Sequence, residues 1–123
     1  MAFDCSCGST FLLGGHLLII VCEPFGTPES VITVPLTSKK SNSDMTVTLS
    51  PGDHDFIIQD TVIGYGFARI FETEDIKRRI LEKDFEPHDK FDDDLIKVIQ
   101  RGLIESPHTP RDIKRTFIES HET

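Results

Sequence analysis

The sequence predicts an α+β protein that is mainly β: a small, strongly curved antiparallel barrel or sheet over the first seventy residues, followed by short C-terminal helices. Three observations lead there. The apolar residues of the N-terminal half come in short runs rich in Val, Ile, Thr and Phe, too short for good helices. Gly, Pro, Asn and Asp punctuate the gaps between them. After Phe71 the apolar spacing changes from a period near 2 to one near 3.6, the change that separates strands from helices.

Strands are expected at 10–13, 17–22, 31–36, 46–49 and 66–71, joined by polar turns. Beyond Phe71, Glu74 and Asp75 open and Lys77, Arg78 and Arg79 close a segment with Ile76 and Ile80 on one face, the charge order that complements a helix dipole. This predicts a helix near 74–82. Residues 84–90, with Pro87, read as a linker. Asp92, Asp93 and Asp94 then precede Leu95, Ile96, Ile99 and Leu103, an amphipathic stripe predicting a helix near 92–102 with Gly102 at its fraying end. Thr109 as cap and Pro110 at the first helical position predict a third helix near 110–119, with Ile113, Phe117 and Ile118 as its apolar residues. The domain plan is a β-domain with a short helix over 1–86 and a helical extension of the same domain over 87–123.

The chain has 123 residues, 37% of them hydrophobic and 28% charged, enough for one modest core. Its longest unbroken apolar run, Leu17 to Cys22, is far below the roughly 20 residues of a membrane span, and no basic region precedes an apolar stretch at the N-terminus. A cytoplasmic protein without membrane attachment is therefore expected. The three cysteines, Cys5, Cys7 and Cys22, cannot all pair within one chain, which suits a reducing compartment. Cys5-x-Cys7 with His16 lacks the second ligand pair of a structural zinc site. Three successive aspartates at 92–94 point in different directions on a helix and read as a solvated helix start. No metal or other cofactor is expected.

The formal net charge is −8, and neither half of the chain is basic, so binding to a polyanion would need a local cluster such as Lys39 and Lys40 with Arg69. These residues, with His16, Thr37, Ser38 and His54, lie at or beside predicted strand ends, where a rigid scaffold presents polar groups to a ligand. Strand alternation places Arg69 on one face with Phe67 and Phe71, and an arginine on an aromatic face requires a partner or a ligand. Plainer readings exist for each: Pro51-Gly52-Asp53-His54 as a turn with Asp53 bonding the backbone, and 37–44 as a polar loop with Lys39-Lys40 at a solvated tip. His88, His108 and His121 fall in expected linkers or tails.

Gly15-His16-Leu17-Leu18-Ile19-Ile20-Val21, Val31-Ile32-Thr33-Val34-Pro35-Leu36-Thr37-Ser38-Lys39, Thr46-Val47-Thr48-Leu49 and the segment from Gly64 to Ile76 follow an order of elements that resembles the MazF/PemK toxin family. Pro51-Gly52-Asp53-His54-Asp55-Phe56-Ile57 and Ser106-Pro107-His108-Thr109-Pro110-Arg111 resemble a PemK-like branch of it. The resemblance covers residues 9–76. It implies an SH3-like β-barrel with a short helix, and an endoribonuclease of a toxin–antitoxin system with RNA as substrate, an antitoxin-like protein as partner and a homodimer as a further expectation. Thr37 or Ser38 matches the family's Ser or Thr after the third strand. Where the family has Arg-Pro at the start of the second strand, this chain has His16-Leu17, exchanging a permanent charge for a group that titrates near neutral pH.

Metal-independent RNA cleavage needs a base for the ribose 2′-hydroxyl, an acid for the departing 5′ oxygen, and fixed groups for the charge that develops on phosphorus. On this reading His16 and His54 are the acid–base pair, Thr37 and Arg69 assist, Ser38, Lys39 and Lys40 hold the phosphate, and Tyr65 stacks on a base. The alternative is a barrel without catalysis that serves as a protein- or nucleic-acid-binding module, which the acidic net charge favours.

Overall fold

The computed structural model describes residues 3–121. Seven strands form one antiparallel sheet: β1 (Thr10–Leu13), β2 (His16–Ile20), β3 (Ser30–Ser38), β4 (Thr48–Leu49), β5 (Thr61–Ile63), β6 (Arg69–Glu72) and β7 (Glu86–His88). Three helices complete it: α1 (Thr73–Leu81), α2 (Asp93–Glu105) and α3 (Arg111–Ser120). β1 and β2 form a hairpin across Gly14-Gly15, both with positive φ, the backbone that a tight two-residue hairpin turn requires and that other residues adopt at a cost.

The organising strand is β3. One of its edges pairs with β2, with Leu18 opposite Pro35 and Ile20 opposite Thr33. Its other edge has two partners in succession, β6 along residues 30–33 and β5 along residues 36–38. Pro35 lies where the partner changes, a position with no N–H to give to a ladder. Its carbonyl accepts the Gly64 N–H at 2.9 Å. Between β5 and β6 the chain makes a 3₁₀ turn over Tyr65–Phe67. The order β4-β5-β3-β2-β1-β7 therefore has two free ends, and the sheet is not closed into a barrel.

Closure is unnecessary because helices cover both faces. Leu17, Ile19 and Val21 with Ile32, Val34 and Leu36 point to one side, into a core completed by Ile96, Ile99 and Leu103 of α2 and by Ile113 and Phe117 of α3. Leu18, Ile20, Val31, Phe11 and Phe71 point to the other, with Ile76 of α1 and Phe85. A strand buried on both faces needs an unbroken apolar run, which accounts for Leu17 to Cys22. Phe11 stacks on Phe85 at 4.9 Å and meets Phe71 edge-on at 5.9 Å.

Several expectations need correction. Residues 84–90 contain β7, which extends the sheet beside β1 with Pro87 opposite Phe11 on an edge strand, where its missing N–H is tolerated. Residues 66–71 split into the 3₁₀ turn and β6, and β5 is an additional strand. Cys5 is buried in the core. Asp92 does start α2, its Oδ1 accepting the Leu95 N–H at 2.8 Å. Pro110 stands just before α3, one position earlier than expected, and the Thr109 hydroxyl has no hydrogen-bond partner among the described residues.

Gly102 does not fray α2, which continues to Glu105. It packs tightly against the 3₁₀ turn and the residue before β4: an added Cβ would overlap the Tyr65 hydroxyl and lie 2.6 Å from Val47 Cγ2. Gly102→Ala is expected to destabilise the fold by about 1–3 kcal/mol through overpacking, against a gain of about 1 kcal/mol in helix propensity. Denaturant melts check this; a stabilised variant would show that α2 packs more loosely than described.

Candidate functional site

Of the residues singled out by sequence, His16, Thr37, Ser38, Lys40 and Arg69 converge on one open face, along the seam where β3 changes partner. His16, at the exposed start of β2, and Thr37, near the end of β3, are shared by three adjoining clefts. The first, about 670 Å³, adds Ser38, Lys40, Asp44, Phe67 and His108. The second, about 440 Å³, is an apolar trough of Leu13, Leu18, Pro35 and Phe67 with Arg69 at its wall. The third, about 360 Å³, runs past Ser38 to Phe56, Ile58 and Gln59.

His16 Nδ1 lies 3.4 Å from the Leu36 carbonyl oxygen, which can only accept. With the proton on Nδ1, the neutral ring leaves Nε2 with a free lone pair for a ligand. Ser38 Oγ accepts a hydrogen bond from Gln59 Nε2 at 2.8 Å. Arg69 is exposed and its guanidinium lies 4.2 Å from the centre of the Phe71 ring, an aromatic partner that holds the side chain at the trough without neutralising it. Lys39 and Lys40 are both exposed, but of the two only Lys40 reaches the first cleft; the Lys39 N–H donates to Asp60 O at 3.2 Å.

Two further expected site residues are placed elsewhere. Tyr65 is fully buried, and its hydroxyl donates to the Ile99 carbonyl oxygen at 2.8 Å, so it ties α2 to the sheet and has no face to offer a base. Burial, with Asp44 and Glu105 nearby, pushes its pKa up. His54 is not among the residues around His16. Its Nδ1 accepts the Phe56 N–H at 3.0 Å, which puts the proton on Nε2, and Nε2 donates to Asp89 O at 2.7 Å. The ring stacks on Phe91 at 4.4 Å. Both nitrogens are thus committed to the backbone, and His54 fastens the 50–57 turn to the segment after β7. Asp53 bonds the backbone of the same turn, its Oδ2 accepting the Ser50 N–H at 2.8 Å.

Three residues that the sequence did not single out complete the face. Phe67, 73% exposed on the 3₁₀ turn, borders both larger clefts. It shares the trough with Arg69, as strand alternation suggested, but from a 3₁₀ turn that leaves its ring exposed. His108 enters from the turn between α2 and α3, a placement that only tertiary packing determines. Asp44 links that turn to the β3–β4 loop: Oδ2 accepts from Ser106 Oγ at 2.6 Å, and Oδ1 accepts from the Thr46 N–H and hydroxyl at 2.9 and 2.6 Å. Partial burial raises the Asp44 pKa, but these hydrogen bonds and nearby His108 outweigh it, and the net shift is downward. Among the described residues, no three His, Cys, Asp or Glu side chains converge to hold a metal ion.

A depressed carboxyl pKa stabilises the fold above the unfolded-state value, about 3.9, and that contribution is lost as pH falls through the lower folded value. Acidification below about pH 4 is therefore expected to release the 41–47 loop from the Ser106 turn before the core melts, and Asp44→Asn to remove this step. Amide NMR spectra across that range check it; a loop unchanged until global unfolding would contradict it. No family model, curated protein or solved structure matches this chain.

Proposed function

We propose that the His16–Thr37 face binds single-stranded RNA and cleaves it without a metal ion. The observation that carries this reading is the convergence, on one open face, of a histidine with an unengaged nitrogen, two hydroxyls, Lys40 and Arg69, and an exposed phenylalanine. Each has a task in the chemistry. His16 Nε2 takes the 2′-hydroxyl proton; Thr37 and Ser38 donate to phosphate oxygens; Lys40 and Arg69 offset the charge that builds on phosphorus; Phe67 offers a ring for a base to stack on. The likeness in order of elements to the MazF/PemK toxins, with their SH3-like barrel and antitoxin partners, supports the same reading. Here the open sheet would be a variation on that barrel.

A second reading, an RNA- or protein-binding module that does not cut, is favoured by the net charge of −8 and by His16-Leu17 standing where the resembled family has Arg-Pro. The two separate in one experiment. Purified protein incubated with a labelled single-stranded RNA in excess chelator is expected to leave cyclic-phosphate or 3′-phosphate ends. His16→Ala is expected to lower the rate about 10² to 10⁴-fold. Lys40→Ala is expected mainly to weaken binding and flatten its salt dependence. Binding without cleavage would favour the module; neither binding nor cleavage at low salt would reject both RNA readings.

A further inference from the structure

We propose that His108 is the second proton-transfer group of this site, the acid that protonates the departing 5′ oxygen while His16 Nε2 removes the 2′ proton. The inference rests on the RNA-cleavage reading above and replaces the His16–His54 pair expected from sequence. Of the five histidines, His16 and His108 line the same cleft, together with Thr37, Ser38 and Lys40. His54 has both nitrogens bonded to the backbone, His88 packs edge-on to Phe56, and His121 Nδ1 is engaged by Phe117 O and Ser120.

The backbone under His108 is held, while its imidazole makes no hydrogen bond among the described residues. Ser106 is fully buried; its Oγ donates to Asp44 Oδ2 at 2.6 Å and accepts the His108 N–H at 3.1 Å. Lys114 Nζ of α3 donates to the Ser106 carbonyl oxygen at 3.2 Å. The turn rests on Gly66, where an added Cβ would lie 3.6 Å from His108 Cβ. A side chain that lines an open cleft from a turn held by three hydrogen bonds is placed to meet a ligand.

The charged and titratable groups around it are Asp44 and Lys40 from the β3–β4 loop, His16 from β2 and Lys114 from α3. The His16 Nδ1 contact with the Leu36 carbonyl leaves a lone pair at Nε2, which assigns His16 the base and leaves the acid role to His108, the other histidine lining the cleft. The step balances without water or redox partner. The 2′ oxygen gives its proton to His16 and attacks phosphorus, the P–O5′ bond breaks with its electron pair leaving on O5′, and O5′ takes the proton of His108. The products are a 2′,3′-cyclic phosphate and a 5′-hydroxyl, and the two histidines have exchanged charge.

The test compares two substrates with the full chain over about pH 4 to 9: a single-stranded RNA, and a nucleoside 3′-(para-nitrophenyl phosphate) whose leaving group departs without an acid. On RNA, His108→Ala and His108→Gln are expected to lose about 10² to 10⁴ in rate and the alkaline limb of the bell-shaped profile, as expected for general-acid loss. Binding of an uncleavable 2′-deoxy oligonucleotide should stay near wild type. On the nitrophenyl ester His108→Ala should recover most of the wild-type rate, whereas His16→Ala should not. His121→Ala, outside the cleft, is the control. Wild-type cleavage with an unchanged profile in His108→Ala, or a loss that the activated ester does not restore, overturns the acid role alone. A wild type that cuts neither substrate overturns the cleavage reading and this proposal with it.

Discussion

The constraint on which this molecule depends is that one edge of a nine-residue strand serves two partners. Along residues 30–33 β3 holds β6, along 36–38 it holds β5, and between them the opposing chain must leave the ladder and return. It does so through the 3₁₀ turn Tyr65–Phe67, opposite a proline that has no N–H to donate. The turn drives Tyr65 inward onto Ile99 and leaves Phe67 outside. The clefts that gather His16, Thr37, Phe67 and Arg69 are therefore made by the same irregularity that fastens α2 to the sheet.

That fastening explains the open sheet. A barrel closes so that its apolar face is shielded and its edges are paired. Here the shielding comes from α2 and α3 on one face and α1 on the other. The cost is a helix that must approach closely, which only glycine allows at position 102. The gain for a site is that the α2–α3 turn reaches the rim of the sheet, where the Asp44–Ser106 bond holds it. Chain segments 16–18, 35–44, 64–69 and 106–108, far apart in sequence, become one surface.

What the sequence made legible followed from local physics. Charge order and apolar spacing located all three helices to within a few residues, because a helix is stabilised by neighbours three and four positions away. The run from Leu17 to Cys22 announced a buried strand, and His16, Thr37, Ser38, Lys40 and Arg69 were recognised as strand-end groups that do share a face. Misreadings arose where the decisive partner is remote. Tyr65 looked like an accessible aromatic until Ile99, 34 residues away, claimed its hydroxyl. His54 looked like half of a catalytic pair, but Phe56 and Asp89 occupy its nitrogens. Glu86–His88 looked like a linker because proline argues against strands, yet an edge position tolerates it. Barrel closure depends on what covers the sheet, which no short window of sequence records.

The seam between β2, β3 and the 3₁₀ turn is the proposed binding face for single-stranded RNA. Amide and histidine side-chain NMR shifts recorded during titration with a 2′-deoxy-substituted oligoribonucleotide, which can bind without being cut, address it most directly. The perturbed residues are expected to cluster at 14–18, 35–44, 64–69 and 106–108, with the imidazole signals of His16 and His108 moving and that of His54 unmoved. Shifts confined to α1 and the outer face of α3, or an oligonucleotide that perturbs no residue at low salt, would contradict it.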